Sequence, residues 1–276
     1  MFKIDKNIRR LSQNEINQFE KDGYLTGLPL FDKLATEELN NFFTSLSSRL
    51  DESIDLNQTA QWQKASLKFY NMCITPSILD YVEDLIGLNF VLWGGQFFLK
   101  EPHDGSVVPW HQDSQYWPLK PAKAVTVWLA LYDTDEKNGA MKIVKGSHKQ
   151  GMFKHKINKS KHFALNQEVS IDQFNSNDVI SLNLKAGEIS LHDDGLLHGS
   201  EENNSDRRRC GVTMRYSPTN VKADLSIWPH FETQLVRGKD NFNFNPIAAI
   251  PKGEATPNQK FQHSCEFQKE WNEYLS

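Results

Sequence analysis

Apolar residues recur at helical spacing through the first third of the chain. In SQNEINQFEKDGYL, Ser12 stands as an N-cap with Glu15 three residues on, the pattern of a capping box, and Gly23 closes the turn. Ile16 and Phe19 give that helix one apolar face. TEELNNFFTSLSSRL repeats the arrangement with Leu39, Phe42, Phe43 and Leu46. PSILDYVEDLIG opens on proline and closes on glycine, the usual asymmetry of helix ends. Residues 1 to about 88 therefore read as mainly helical.

The period then changes. FVLWGGQFFLKEP, AVTVWLALYDT, GAMKIVKGSH, DVISLNLKAGEISLHDD and RCGVTMRYSP are short β-branched and aromatic runs punctuated by Gly, Pro, Asn or Asp. Their spacing suits a β-sandwich or barrel better than alternating βα units. No internal repeat or long low-complexity linker interrupts them. The expectation is one domain spanning 1–276: a helical part to about 88, a β catalytic core over about 89–220, and an irregular extension over about 221–276 that ends in a possible helix, FQKEWNEYL.

Composition narrows the function classes. The chain has 276 residues, 38% of them hydrophobic, enough for one large core or two small ones, and a formal net charge of -4. That balance supplies no broad attraction to nucleic acid or to an anionic membrane. The basic run SDRRR sits among Glu201, Glu202 and Asp206, which argues against a nucleic-acid patch. Three widely spaced cysteines, Cys73, Cys210 and Cys265, form no disulfide framework and read as small hydrophobes in a reducing compartment. The N-terminus lacks the apolar core of a secretory signal, and no apolar run is long enough to cross a bilayer. A cytoplasmic protein acting on a small molecule is expected; oligomeric state is not legible.

The chemistry begins in PWHQDSQYWPL. In an extended strand residues i and i+2 face one side, so His111 and Asp113 project together and Gln112 faces away. His198, in LLHGSEENNSDRRRCGVTMRY, is a candidate third ligand from a neighbouring strand. Two imidazoles and one carboxylate with open positions form the facial triad of non-haem Fe(II) oxygenases; a closed Cys-rich set would suit structural zinc, and none is present. Eleven residues after His198, Arg209 opens a strand whose alternate residues Arg209, Gly211, Thr213 and Arg215 form a polar face, with Cys210, Val212, Met214 and Tyr216 opposite. A guanidinium there can hold a carboxylate through two parallel hydrogen bonds, and Ser200 shares the parity of His198 and can add a hydroxyl. In a regular strand Arg208 points the wrong way, and Arg207 is the fallback for Arg209.

WHQDSQYWPL, VTVWLALYDTDEKNGAMKIVKGSHK and LLHGSEENNSDRRRCGVTMRY, with the FEKDGYL helix, resemble the phytanoyl-CoA dioxygenase family of Fe(II)- and 2-oxoglutarate-dependent oxygenases. The resemblance covers most of residues 12 to 217. It implies a mainly β fold with flanking helices, a double-stranded β-helix of the cupin-like jelly-roll kind. It implies His111, Asp113 and His198 as iron ligands, and Arg209, helped by Ser200, on the distal carboxylate of 2-oxoglutarate. Trp128 falls near the co-substrate, and Thr126, on the same strand face, is a weaker candidate. The implied reaction consumes O2 and 2-oxoglutarate, releases succinate and CO2, and hydroxylates a C–H bond. Some relatives halogenate with a small residue in place of the carboxylate; Asp113 fills that position here, so hydroxylation is expected.

Other residues divide between bland and functional readings. His192-x-Asp194 repeats the His-x-Asp spacing, but no suitable His and Arg follow it, so His192 reads as structural. His103, His148, His155, His162, His230 and His263 have no ligand spacing, and Trp110 is as well suited to core as to pocket. Tyr116, Trp117, Gln96, Lys100 and Asp193 are candidate substrate contacts, Asp193 toward a cation. The insert carrying His155, Lys156 and Lys159 is basic and, over the pocket, fits an anionic group. A loose likeness to members that hydroxylate small zwitterions suggests an aminoethylphosphonate or betaine-like substrate, its ammonium against Tyr116 or Trp117. Two other readings stay open: a metal-dependent enzyme of another class on the same barrel, and a non-catalytic binding protein.

Overall fold

The computed structural model describes residues 2–6, 8–158 and 164–257. Lys159, His162, His263, Cys265 and the expected helix FQKEWNEYL lie outside the described residues.

The helices form where local chemistry starts and stops them. α1 (Gln13–Asp22) carries both halves of the capping box between Ser12 and Glu15, and Gly23 ends it in the left-handed region. α2 (Lys33–Ser47) begins earlier than its apolar pattern, because the Asp32 side chain accepts the Ala35 N–H and sets the start. The short helices α3 (Trp62–Ala65) and α4 (Leu67–Cys73) follow, then α5 (Pro76–Ile86), with proline in its first turn and Gly87 at its end. The N-terminal part is not wholly helical. Between α1 and α2 the chain extends as β1 (Tyr24–Pro29) and joins the main sheet by pairing with residues 188–192. The apolar run around Leu25 and Leu28 is too short to declare itself without its partner strand.

The remaining strands are β2 (Phe90–Lys100), β3 (Val108–His111), β4 (Leu119–Lys120), β5 (Val125–Ala130), β6 (Lys142–Val144), β7 (His155–Ile157) and β8 (Gln167–Val169). After them come β9 (Val179–Ser181), β10 (Glu188–Asp193), β11 (His198–Ser200), β12 (Arg209–Pro218), β13 (Lys222–Ala223) and β14 (Gln234–Arg237). A six-stranded sheet runs β1-β10-β5-β12-β2-β14 and a four-stranded sheet runs β3-β11-β6-β9. From β2 to β12 the core strands pass between these sheets in the order of a double-stranded β-helix, every pair antiparallel.

The large sheet has two unlike faces, as the alternation in β12 requires. Its outer face presents Cys210, Val212, Met214 and Tyr216, with Val127, Leu129 and Phe97, to the helices. Phe43, Trp62 and Phe69 from the helices meet Phe97 there, with ring centroids 5.0–5.3 Å apart. Removing one such ring would cost about 3–5 kcal/mol. This layer backs the large sheet, and the opposite, polar face lines a cavity. Among the described residues, no helix is long and apolar enough to cross a membrane.

Candidate metal centre

The polar face of the large sheet and the small sheet enclose a cavity of about 460 Å³. Within it, the ligand atoms of His111, Asp113 and His198 all lie within 4.8 Å of one another. His111 and His198 meet because they are directly paired across β3 and β11, with ring centroids 4.1 Å apart. His111 Nε2 is 3.8 Å and His198 Nε2 4.0 Å from Asp113 Oδ1. Asp113 itself has left the strand and opens a 3-10 turn, with extended backbone at Gln112 keeping His111 and Asp113 on one side.

Each imidazole is oriented from behind. His111 Nδ1–H donates to the Pro109 carbonyl at 2.8 Å and His198 Nδ1–H to Leu196 at 2.9 Å. Those bonds select the tautomer whose Nε2 lone pair points at the shared centre. Burial, and then the neighbouring His111, push His198 well below its usual range, which favours the neutral form that could ligate a metal. Burial opposes ionisation of Asp113, but the imidazoles of His111 and His192, then His198 and the Arg215 guanidinium, outweigh it and hold the carboxyl well below the usual range.

The outer oxygen of Asp113 has its own neighbours. Thr126 Oγ1 donates to Oδ2 at 3.4 Å, and His192 Nε2 lies 3.6 Å from it. Thr126, expected beside the co-substrate, is hydrogen-bonded to the Asp113 carboxylate on the cavity wall, opposite His192 and Arg215 and one row along the strand from Trp128. His192 is buried in the cavity wall with its ring 4.9 Å from that of His198, closer to the centre than a structural reading implies. Asp194 does not line the cavity.

The polar row at the far end of β12 is also assembled. Arg209 is 4% exposed, its guanidinium lies 4.9 Å from the Trp128 ring, and its Nε has no hydrogen-bond partner among the described residues. Burial lowers its pKa to about 10, which leaves it charged near neutrality. Ser200 Oγ beside the cavity is also buried without a partner. Lys100 pairs directly with Arg209 across β2 and β12 and is 2% exposed. Its ammonium donates to the carbonyls of Ser106 and Ser200, at 2.8 and 3.3 Å, and of Glu201. Burial, and then the charge of Arg209, bring it down to about 7. Arg207 and Arg208 turn outward instead, to Asp135 and Glu101, each at 2.6 Å.

Tyr116, Trp117, Gln96 and Lys100 line the cavity. Asp193 does not, which corrects the expected cationic contact: it lies on the opposite strand face from His192, and its carboxylate accepts the Gly195 N–H at 2.8 Å within a turn. Trp117 is not free to receive an ammonium, because the Arg215 guanidinium sits 5.3 Å over its ring and Trp93 meets it edge to face at 4.7 Å. His155 is not a basic group. Burial lowers it to about 4, and its Nε2 accepts the Gln112 N–H at 3.2 Å. Gln112, set aside as merely facing away, is fully enclosed; it donates to Gly151 and Gly195 and accepts from Phe153, at 2.8–2.9 Å. That amide ties the turn that carries Asp113 to two loops, and no periodicity announces it.

A sequence model described as phytanoyl-CoA dioxygenase (PhyH) matches residues 19–211. A phytanoyl-CoA dioxygenase domain-containing protein 1 homolog of Dictyostelium discoideum is 28% identical over 152 residues, 54% of this chain and 54% of that protein. A probable alpha-ketoglutarate-dependent hypophosphite dioxygenase of Stutzerimonas stutzeri is 29% identical over 169 residues, 60% of this chain and 59% of that protein. The match thus spans little more than half the length of these relatives. Among solved structures, the non-heme monooxygenase ThoJ in its apo form superposes with a TM-score of 0.75 at 24% identity, over 94% of this chain and 98% of that one. CytC3 with Fe(II) and alpha-ketoglutarate superposes at 0.68 and 21% identity, over 91% and 97%. At those identities the superpositions establish the jelly-roll fold.

Proposed function

The chain belongs to the phytanoyl-CoA dioxygenase family, and from that premise we propose that it is an Fe(II)- and 2-oxoglutarate-dependent dioxygenase that hydroxylates a C–H bond of a small molecule. One observation carries the reading. Three metal-ligating atoms converge in a cavity whose far end holds a buried guanidinium and a buried hydroxyl, each with an atom lacking a partner. A His pair with one carboxylate and no fourth protein ligand among the described residues suits a ferrous ion that keeps positions open. Buried polar atoms without partners are costly, about 1–3 kcal/mol each, and a carboxylate at Arg209 and Ser200 would satisfy both.

The protein's part in the reaction is to hold and to exclude. His111, Asp113 and His198 would bind the iron, with Thr126 and His192 fixing the outer oxygen of Asp113. Arg209 and Ser200 would bind the distal carboxylate of 2-oxoglutarate, with the Lys100 charge beside them and the Trp128 ring under the Arg209 guanidinium. When bound, the iron supplies the oxidising chemistry that couples decarboxylation of 2-oxoglutarate to attack on the substrate. Asp113 supplies the carboxylate ligand whose replacement would open a place for halide, so hydroxylation follows rather than halogenation. The cavity volume suits a co-substrate and one small molecule.

The direct test is an anaerobic titration of the purified protein with Fe(II) and then 2-oxoglutarate. A visible charge-transfer band of the chelate is expected, absent in Asp113→Ala. A protein that binds neither would not be this kind of oxygenase.

A further inference from the structure

β12 carries a second arginine into the same cavity. Arg215 lies six residues beyond Arg209 on the same strand face, about 20 Å away along the backbone. Among the described residues its guanidinium makes no hydrogen bond and no ion pair, and its Nε is sealed from solvent without a partner. The residue is built in with care. Gly94 stands opposite it on β2, where a Cβ would come within 3.1 Å of the Arg215 side chain. Trp117 lies under the guanidinium and is itself wedged by Trp93, whose indole N–H donates to Ser217 at 2.9 Å.

A half-buried cation on a cavity wall, with its Nε sealed off, calls for a counter-charge. Asp113 is near enough to feel Arg215 but not within ion-pair distance, and its carboxylate is committed to the metal centre. The other acid on the cavity wall, Asp55, accepts the Asn57 N–H at 2.8 Å. In the oxygenase reading the divalent ion, Asp113 and the doubly charged co-substrate would together leave one negative charge, which Arg209 answers, while the Lys100 ammonium is spent on three backbone carbonyls. Arg215 is then the unmatched cation, on the row that carries Thr126 and His192, with the metal ligand Asp113 beside it. In that reading 2-oxoglutarate would reach from the metal toward Arg209, and Arg215 stands three same-face positions away along β12, so a second anion would be needed to answer it.

We propose that Arg215 is the anchor of the primary substrate and that the substrate is a small acid, whose carboxylate or phosphorus oxyanion takes two parallel hydrogen bonds from this guanidinium. The inference rests on the oxygenase reading above and deepens it. It keeps the anionic half of a zwitterionic substrate and moves its receptor from the basic insert to β12. It also makes Arg215 a specificity-determining residue: a fixed planar fork selects oxyanions over neutral esters or amides of equal size.

The test uses the full chain loaded anaerobically with Fe(II) and 2-oxoglutarate, so that the chelate band is established first; failure of that band counts against the oxygenase reading and not against Arg215. The loaded protein is then titrated with a panel of small acids (amino acids and their betaines, aminoalkylphosphonates, hypophosphite), each beside its neutral ester or amide where one exists. Substrate entry is read as a shift of the band. At least one acid is expected to shift it with an affinity more than about tenfold above its neutral counterpart. Arg215→Gln should weaken that acid by about thirtyfold or more while the chelate band still forms. Arg215→Lys, which keeps the charge without the fork, should fall between, and guards against a Gln variant that fails to fold. A panel in which no acid shifts the band, in which neutral analogues bind as well as acids, or in which Arg215→Gln and Arg215→Lys bind the acid as wild type does, overturns the proposal.

Discussion

A Cβ added to Gly211 would lie 2.0 Å from Cζ2 of Trp128. The indole is laid flat across the bare backbone of β12 and carries the Arg209 guanidinium on its face. Gly211→Ala therefore has to displace Trp128, and Arg209 with it. The expected outcome is a rise in the 2-oxoglutarate concentration needed for half-saturation, with the fold retained by circular dichroism. Unchanged 2-oxoglutarate binding would mean that the indole does not position the arginine.

The metal ligands and their outer partners should separate by magnitude. Loss of an outer partner costs roughly 10–100-fold in metal affinity, and loss of a ligand costs more. Thr126→Val, which removes only the donor to Asp113, should weaken Fe(II) by about tenfold. His111→Ala or His198→Ala should abolish turnover and the chelate band together. Anaerobic metal titration by calorimetry orders the three variants.

Arg209 and Arg207 offer a contrast within one strand entry. Arg209→Ala removes a buried charged donor and should cost about 2 kcal/mol or more, roughly thirtyfold in 2-oxoglutarate affinity. Arg207→Ala removes a surface pair with Asp135 and should change stability by under about 1 kcal/mol, with 2-oxoglutarate binding unmoved. Equilibrium binding to both variants decides between them.

Lys100 predicts a pH dependence. Its ammonium is charged below about 7 and loses its proton as pH rises through that value. An anion next to it is held by the charged form, so 2-oxoglutarate affinity should fall between pH 6 and 8.5. The stability effect has the opposite sign: between about 7 and the ordinary lysine range the unfolded chain binds more protons, so folding stability gains with pH from this group. Binding isotherms of wild type against Lys100→Met across that range test it, and the variant should bind weakly at every pH with the slope reduced.

Gln112→Ala should destabilise the protein by about 3 kcal/mol, because it strands the Gly151 and Gly195 carbonyls and the Phe153 N–H that the amide now satisfies. Thermal unfolding measures this directly. The metal-ligand turn follows Gln112, so iron affinity should drop alongside the melting temperature.

The local chemistry of the chain was legible before any partner strand was known. Ser12 with Glu15 and Gly23 marked both ends of α1, and the alternation in RCGVTMRY separated a buried apolar face from a polar one carrying Arg209 and Arg215. His111 and Asp113 were placed on one side by the two-residue period of extended backbone, which held even though Asp113 begins a turn. Less legible were residues whose meaning depends on a neighbour remote in sequence. Nothing in LHDDGLLH distinguishes His192, which faces Asp113, from Asp193, which closes a turn on Gly195. Arg215, without an ion pair among the described residues, and Arg207 and Arg208, each with one, differ only in what lies opposite them.

The sequence by itself determined which side chains share a face, where helices begin and end, and which residue types were available to hold a metal and an anion. Those follow from backbone geometry and bonds within a few residues. The tertiary structure alone decided the rows: His198 against His111, Arg209 against Lys100, and Arg215 against Thr126 and Gly94. Strand register is set by hydrogen bonds between segments up to a hundred residues or more apart, and a slip of one residue would turn every one of these groups to the wrong face.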